Sequence, residues 1–180
     1  MKKVHAFAPL GAFAALLALC AVPLLKETDP SVAPSALIGR PVPAFSLPPA
    51  LSGGKGFGDA DLKADGRPKL VNVFSSWCLT CAAEQRVLTR LAASDGVPVY
   101  GIDYKDERKK VAGWLKRNGN PYRKIGFDGD GRAAIDWGVS RVPETFVVDG
   151  EGVVRYRHAG PVTEQDYKDI LQPLLTEARE

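Results

Sequence analysis

Residues 69–91 read KLVNVFSSWCLTCAAEQRVLTRL, and this stretch decides the fold. Its opening, Lys69 to Ser75, is short and mostly apolar, as a strand buried on both faces should be. Its close, Ala82 to Leu91, is rich in helix-forming Ala, Glu, Gln, Arg and Leu, with Val87, Leu88 and Leu91 at helical spacing. Between them Cys78 and Cys81 open a helix directly after the strand. Positions i and i+3 of a helix face the same way with about 5–6 Å between Cβ atoms, close enough for a disulfide after small adjustment. Cys78 sits where free backbone N–H groups and the helix dipole favour negative charge, which lowers its pKa and raises its thiolate fraction. Cys81 lies one turn further in, shielded, and reads as the resolving thiol. The pattern points to dithiol chemistry: Cys78 attacks a partner disulfide and Cys81 releases the product.

Outward from this stretch, Val97 to Ile102 predicts a second strand after Gly96. A helix follows from about Asp106 to Asn118, stopped by Gly119 and Pro121. Ile125 to Phe127 is a short strand candidate and Arg132 to Trp137 a short helix. Glu144 to Val148 and Val153 to His158 read as strands joined by an Asp-Gly-Glu-Gly turn at 149–152. The last helix opens at Thr163, where Asp166 completes a capping-box pattern, and runs to about Leu175. Parallel βαβ units followed by an antiparallel hairpin predict an α/β fold, a central mixed sheet flanked by helices.

The N-terminus has a different composition. Lys2 and Lys3 precede Val4 to Leu25, 22 residues without Asp, Glu, Lys or Arg. About 20 apolar residues suffice to cross a bilayer as a helix, whereas a cleaved signal peptide has an apolar core of about 7–15. The expectation is an uncleaved anchor over residues 1–25, a Pro/Ser/Ala-rich tether over 26–43 and a catalytic domain over 44–180. Two alternatives are a cleaved signal, for which the small-x-small pattern is poor, and a lipidated Cys20, for which the preceding Leu19 is too large. Lys2 and Lys3 on one flank, against Lys26, Glu27 and Asp29 on the other, orient the body away from the cytoplasm.

The whole chain has 180 residues, 45 % apolar and 25 % charged, with a net charge of +3 spread along its length. That balance suits one globular domain and lacks the concentrated basic stripe of a nucleic-acid binder. Of three cysteines, Cys20 lies in the apolar run, leaving Cys78 and Cys81 for one redox centre rather than a disulfide framework. A structural zinc site needs four ligands, and His158 is the only histidine of the body, so no metal is expected. Rival readings are a copper chaperone using Cys78, Cys81 and His158, or a peroxidase, for which the stretch before Cys78 lacks a Pro-x-x-x-Thr-type pattern. Asp128-Gly-Asp-Gly131 reads as a turn, because Arg132 occupies the next expected calcium-ligand position.

Trp77-Cys-Leu-Thr-Cys81 with Glu84, and later Val142-Pro-Glu-Thr-Phe146, resemble a thioredoxin-fold protein. More narrowly, Gly101-Ile-Asp-Tyr-Lys-Asp106, Gly119-Asn-Pro-Tyr122, Phe127-Asp-Gly-Asp-Gly131, Asp136-Trp-Gly-Val139 and Arg155-Tyr-Arg-His-Ala-Gly160 resemble the thioredoxin-like proteins of cytochrome c maturation, the CcmG/DsbE family. The resemblance covers most of residues 40–175 together with the N-terminal anchor. It implies a monomeric periplasmic reductase, held in the inner membrane by residues 4–25, that keeps the haem-binding cysteines of apocytochrome c or a partner thiol protein reduced. It further implies electrons from a membrane thiol transporter and no cofactor beyond the cysteine pair. It implies a cis Val142–Pro143 bond against the cysteines, leaving the Val142 backbone to pair with an extended substrate strand. Glu84, read alone a solvated helical residue, becomes by resemblance an acid near the cysteines that disfavours the thiolate and relays protons to Cys81. Asn72 stands where many thioredoxins carry a buried aspartate, leaving that role to Glu84. Trp77 is expected to cover the disulfide and, with Val142 and Glu144, to line the substrate. Glu144 and Asp103 either add to an acidic surround or are solvated at the surface. A general periplasmic reductase, or an oxidase, remains the alternative within the same chemistry.

Overall fold

Every residue of β3 (Lys69–Phe74) is buried, because this strand lies at the middle of a five-stranded sheet in the computed structural model. Its side chains alternate between two cores: Leu70 and Phe74 point to one face, Val71 and Val73 to the other. The parallel neighbour β4 (Val99–Tyr104) pairs Leu70 with Val99 through to Phe74 with Asp103, and β5 (Tyr122–Asp128) continues in parallel beyond it. On the other side β6 (Glu144–Val148) and β7 (Val154–Ala159) add antiparallel, giving the order β5-β4-β3-β6-β7. This is the mixed sheet flanked by helices that the sequence pattern predicts. Its helices include α2 (Leu79–Ser94) after β3, α3 (Arg108–Asn118) after β4 and α4 (Arg132–Asp136) after β5.

The structure describes residues 35–178, together with Phe13 and Leu17. The chain divides into two units, Met1–Pro30 and Ser31–Glu180. Of the first, Phe13 and Leu17 are helical and exposed; the rest of the expected anchor, and Cys20, lie outside the described residues. Among the described residues no helix is long and apolar enough to cross a membrane.

Several elements were not legible from periodicity. A two-stranded ribbon of β1 (Ser46–Leu47) and β2 (Phe57–Gly58) leads into α1 (Asp59–Lys63), which is tied to β3 by the buried Lys69 ammonium donating to the Leu62 carbonyl. The expected tether to residue 43 is folded at its end. Gly39 N–H donates to Val154 O, Val154 N–H to Arg40 O and Val42 N–H to Gly152 O, and Val42 is buried. On the opposite edge Phe127 N–H donates to Pro48 O and Ala50 N–H to Ile125 O. Proline prevents a regular strand there without preventing these single bridges. The C-terminal helix opens at Thr163 as expected, with Thr163 and Asp166 capping each other. It is not uniform: α5 (Glu164–Asp166) passes through a π turn at Tyr167–Leu171 into α6 (Gln172–Glu177). Pro173 cannot donate, and Gln172 N–H reaches back five residues to Tyr167 O.

One face of the sheet carries a stack of rings. Phe74 lies 4.7 Å from Tyr122 and 5.4 Å from Trp114, centroid to centroid. Gly101 makes room for it, since a Cβ there would sit 2.9 Å from the Phe74 ring. The other face buries Trp137 against Phe45 and Phe146.

The pairing of residues 39–42 with β7 gives a direct test. A chain starting at Ser35 is expected to melt like a longer one. A chain starting at Ala44 should lose about 2 kcal/mol from Val42 burial alone, with more scattering from the bared edge. Equal melting temperatures would contradict the docking of this segment.

Candidate active site

Cys78 is the N-cap of α2, with extended backbone angles (φ −89°, ψ 116°) that stop β3 from running straight into the helix. Its sulfur accepts the Cys81 N–H at 3.1 Å, one of the donors that the first turn leaves unpaired. The two cysteines form a disulfide with Cα atoms 5.3 Å apart. Cys78 keeps 7 % of its surface and Cys81 none, so a partner meets Cys78. The Thr80 hydroxyl stands 3.3 Å from the Cys78 sulfur and the Val142 carbonyl 3.7 Å from it. The Val142–Pro143 bond is cis, which places Pro143, buried, and Val142, half-buried, at the disulfide.

Glu84 is not the solvated residue that periodicity alone suggests; it is 1 % exposed. Its Oε1 accepts from Asn72 Nδ2 at 2.9 Å and its Oε2 from Val162 N–H at 3.0 Å. Both donors favour the carboxylate, but burial outweighs them and pushes Glu84 up to about 8. Asn72 is available because strand parity turns it, like Leu70 and Phe74, toward α2. Its amide also donates to Thr145 Oγ1 at 3.0 Å, and its Oδ1 accepts from the Tyr122 hydroxyl at 2.7 Å. Tyr122 stands 3.1 Å from Gln85 Oε1, and Gln85 in turn donates to the Gly119 carbonyl. The network therefore ties α2 to β3, β5, β6 and the turn after β7. Tyr122, Thr145, Gln85 and Val162 carry no signal as individual residues in the sequence. Of the network, only Asn72 and Glu84 were singled out in the sequence, both through the resemblance.

Glu144 is not solvated either. Fully buried, it accepts from Arg157 Nε at 2.8 Å and Nη2 at 2.7 Å, and from Ser140 N–H and Arg141 N–H. A carboxylate so enclosed fixes the loop ahead of Pro143 instead of presenting charge to a substrate. Asp103 is likewise fully buried near the end of β4, and among the described residues no donor group satisfies its ionised oxygens. Burial first, and then the neighbouring Asp106, push it up to about 8. Trp77 is 58 % exposed, its indole N–H donating to the Lys105 carbonyl at 3.1 Å. Leu79, on the other side of Cys78, is 89 % exposed. His158 is buried, its Nε2 turned to Pro161 O at 3.4 Å. Among the described residues no three or more His, Cys, Asp or Glu side chains are grouped as ligands of one metal ion.

Comparison with known proteins gives one consistent result. The Redoxin family matches residues 37–171. The thiol:disulfide interchange protein DsbE of Yersinia pestis is 45 % identical over 171 residues, covering 93 % of this chain and 90 % of that protein. DsbE of Escherichia coli K12 is 43 % identical over 177 residues, covering 97 % and 95 %. Among solved structures, a secreted Mycobacterium tuberculosis disulfide oxidoreductase has a TM-score of 0.62 at 20 % identity, covering 74 % of this chain and 96 % of that one. A thiol-disulfide oxidoreductase from Bacteroides fragilis has a TM-score of 0.61 at 20 % identity, covering 75 % and 99 %. At that identity the two structures speak to the fold, which is thioredoxin-like.

The buried acid has a measurable signature. Glu84 ionises near 4.5 when unfolded and near 8 when folded. Between those values the folded state holds a proton that the unfolded state has lost, so stability falls as pH rises through the window. Glu84→Gln is expected to remove its share of that slope in melts followed from about pH 5 to about pH 9, leaving the share of Asp103. An unchanged slope would contradict a proton held on Glu84.

Proposed function

The chain belongs to the redoxin family and is a thiol:disulfide oxidoreductase of the DsbE kind, and from that premise we propose that it is a reductase in cytochrome c maturation. Its task in this reading is to keep the haem-binding cysteines of apocytochrome c, or those of a partner thiol protein, in the dithiol form.

The observation that carries the direction is the environment of Cys78. A strongly oxidising pair is one whose thiolate is stabilised. Here the nucleophile is nearly buried, and residues 77–85 contain no Lys, Arg or His. Behind the pair sits Glu84, which adds no positive charge and, once ionised, opposes a thiolate. The favourable contributions are the Cys81 N–H and the Thr80 hydroxyl. Such a site holds its thiolate weakly, which favours giving electrons away.

In the cycle that follows, the reduced protein's Cys78 thiolate attacks one sulfur of the partner disulfide, and the other partner sulfur leaves as a thiolate. Cys81 then loses its proton and attacks Cys78, releasing the second partner thiol and closing Cys78–Cys81. Glu84, in its ionised form, relays the proton of Cys81: it lies three residues on along α2, equally buried, and ionises in the same range as an ordinary thiol. An extended partner segment docks along the Val142 backbone beside Pro143, with Trp77 and Leu79 flanking the sulfur. A membrane thiol transporter restores the dithiol, and no cofactor is required. The protein acts as a monomer whose apolar residues 4–25 hold it in the inner membrane with the catalytic domain in the periplasm.

A synthetic peptide carrying an oxidised Cys-x-x-Cys-His sequence tests the assignment. Cys81→Ser is expected to accumulate a mixed disulfide between Cys78 and the peptide, resolved by mass spectrometry, while Cys78→Ser accumulates none. Trapping through Cys81 in the Cys78→Ser protein would reverse the two roles.

A further inference from the structure

The three residues ahead of the nucleophile are tied, one by one, to the last residue of β4 and the two residues that follow it. The Ser75 hydroxyl donates to the Tyr104 carbonyl. Ser76 donates twice to Asp106, its backbone N–H to Oδ2 and its hydroxyl to Oδ1, the latter at 2.8 Å. The Trp77 indole N–H donates to the Lys105 carbonyl at 3.1 Å. None of these belongs to the sheet, whose β3–β4 pairing ends at Phe74 and Asp103.

The loop on the receiving side is built for the purpose. Lys105 has a φ of 45°, the only non-glycine residue with positive φ among the described residues. That conformation is disfavoured for any residue with a Cβ and persists only where its surroundings hold it. Here the Lys105 N–H is held by the Asp128 carbonyl at 3.0 Å, while its carbonyl faces Trp77. Asp106 is itself steadied by the Glu107 N–H at 2.6 Å. The consequence falls on Trp77: a large ring exposed to solvent beside Cys78, yet fixed at its N–H.

We propose that Asp106 is a positioning residue for the exchange reaction: by gripping Ser76 at both its N–H and its hydroxyl, it fixes residues 75–77 and so sets the Trp77 ring and the approach to the Cys78 sulfur. This rests on Cys78 being the nucleophile. In the exchange step the Cys78 thiolate gives its electron pair to one partner sulfur while the S–S electron pair leaves with the other, and the three sulfurs must line up. A loose strip at 75–77 lets the ring swing into that path.

The test uses the full chain, reduced, with the oxidised Cys-x-x-Cys-His peptide as substrate and the rate followed across pH. Asp106→Ala is expected to slow reduction by about tenfold or more, as loss of alignment does, without moving the pH at which the rate is half-maximal. Asp106→Asn keeps an acceptor for the Ser76 N–H and can donate to its hydroxyl, so it should return to within about twofold of wild type. Ser76→Ala loses only the hydroxyl bond and should fall between wild type and Asp106→Ala; with Asp106→Asn it decides the matter if the alanine variant at 106 fails to fold. A wild-type rate in Ser76→Ala, or Asp106→Asn as slow as Asp106→Ala with a displaced pH profile, would overturn the proposal, the second by making the charge the active element. Failure of the wild-type chain to reduce the peptide would instead strike at the nucleophile assignment itself.

Discussion

Burying a carboxyl group behind a cysteine pair is the constraint around which this domain is arranged. An unpartnered carboxylate in an apolar interior is costly, so Glu84 needs donors that arrive from outside its own helix. Asn72 supplies one from the central strand and Val162 another from the turn after β7. Asn72 must then be satisfied in turn, by Thr145 of β6 and Tyr122 of β5. One acid thereby fixes the relative placement of α2, three strands and the C-terminal turn. The outcome is a group pushed up to about 8 by burial, three residues along the helix from Cys81, which has no exposed surface.

Partner access follows from how the rest of the sheet is covered. Residues 39–42 lie along β7 and residues 48–50 along β5, so both outer edges are partly occupied by the chain's own N-terminal segments. Covered edges discourage strand addition at the flanks. In the proposed cycle an extended segment docks along the half-buried Val142 beside the disulfide, and the loop there is stiffened from behind by the Glu144–Arg157 pair. Glu144 contributes to the site by holding the backbone, which explains why so polar a residue follows Pro143 directly.

Most of the fold was legible because its elements announce themselves by period. The apolar run of β3, the Cys-x-x-Cys opening of α2 and the Asp-Gly-Glu-Gly hairpin each rest on short-range rules. What stayed hidden depends on tertiary contact. The β1–β2 ribbon is two residues per strand, too short to show alternation. Residues 39–42 look like any proline-rich linker until the β7 edge is present to receive them. The burial of Glu84, Asp103 and Glu144 removes the solvated alternative that the sequence left open for each, and local sequence says nothing of a donor 78 positions away such as Val162. The β4-exit loop was hidden for a similar reason: Asp106 reads as the start of the next helix, which opens only at Arg108, until Ser76 and Trp77 are placed against it.

The reduction potential of Cys78–Cys81 tests most directly whether this site gives electrons to its partners. Equilibration of the full chain against thiol buffers of graded potential is expected to give a value near or below about −200 mV, on the side where glutaredoxins and thioredoxin lie. A value near about −120 mV, that of a strong disulfide donor, would contradict the account and make the protein an oxidase.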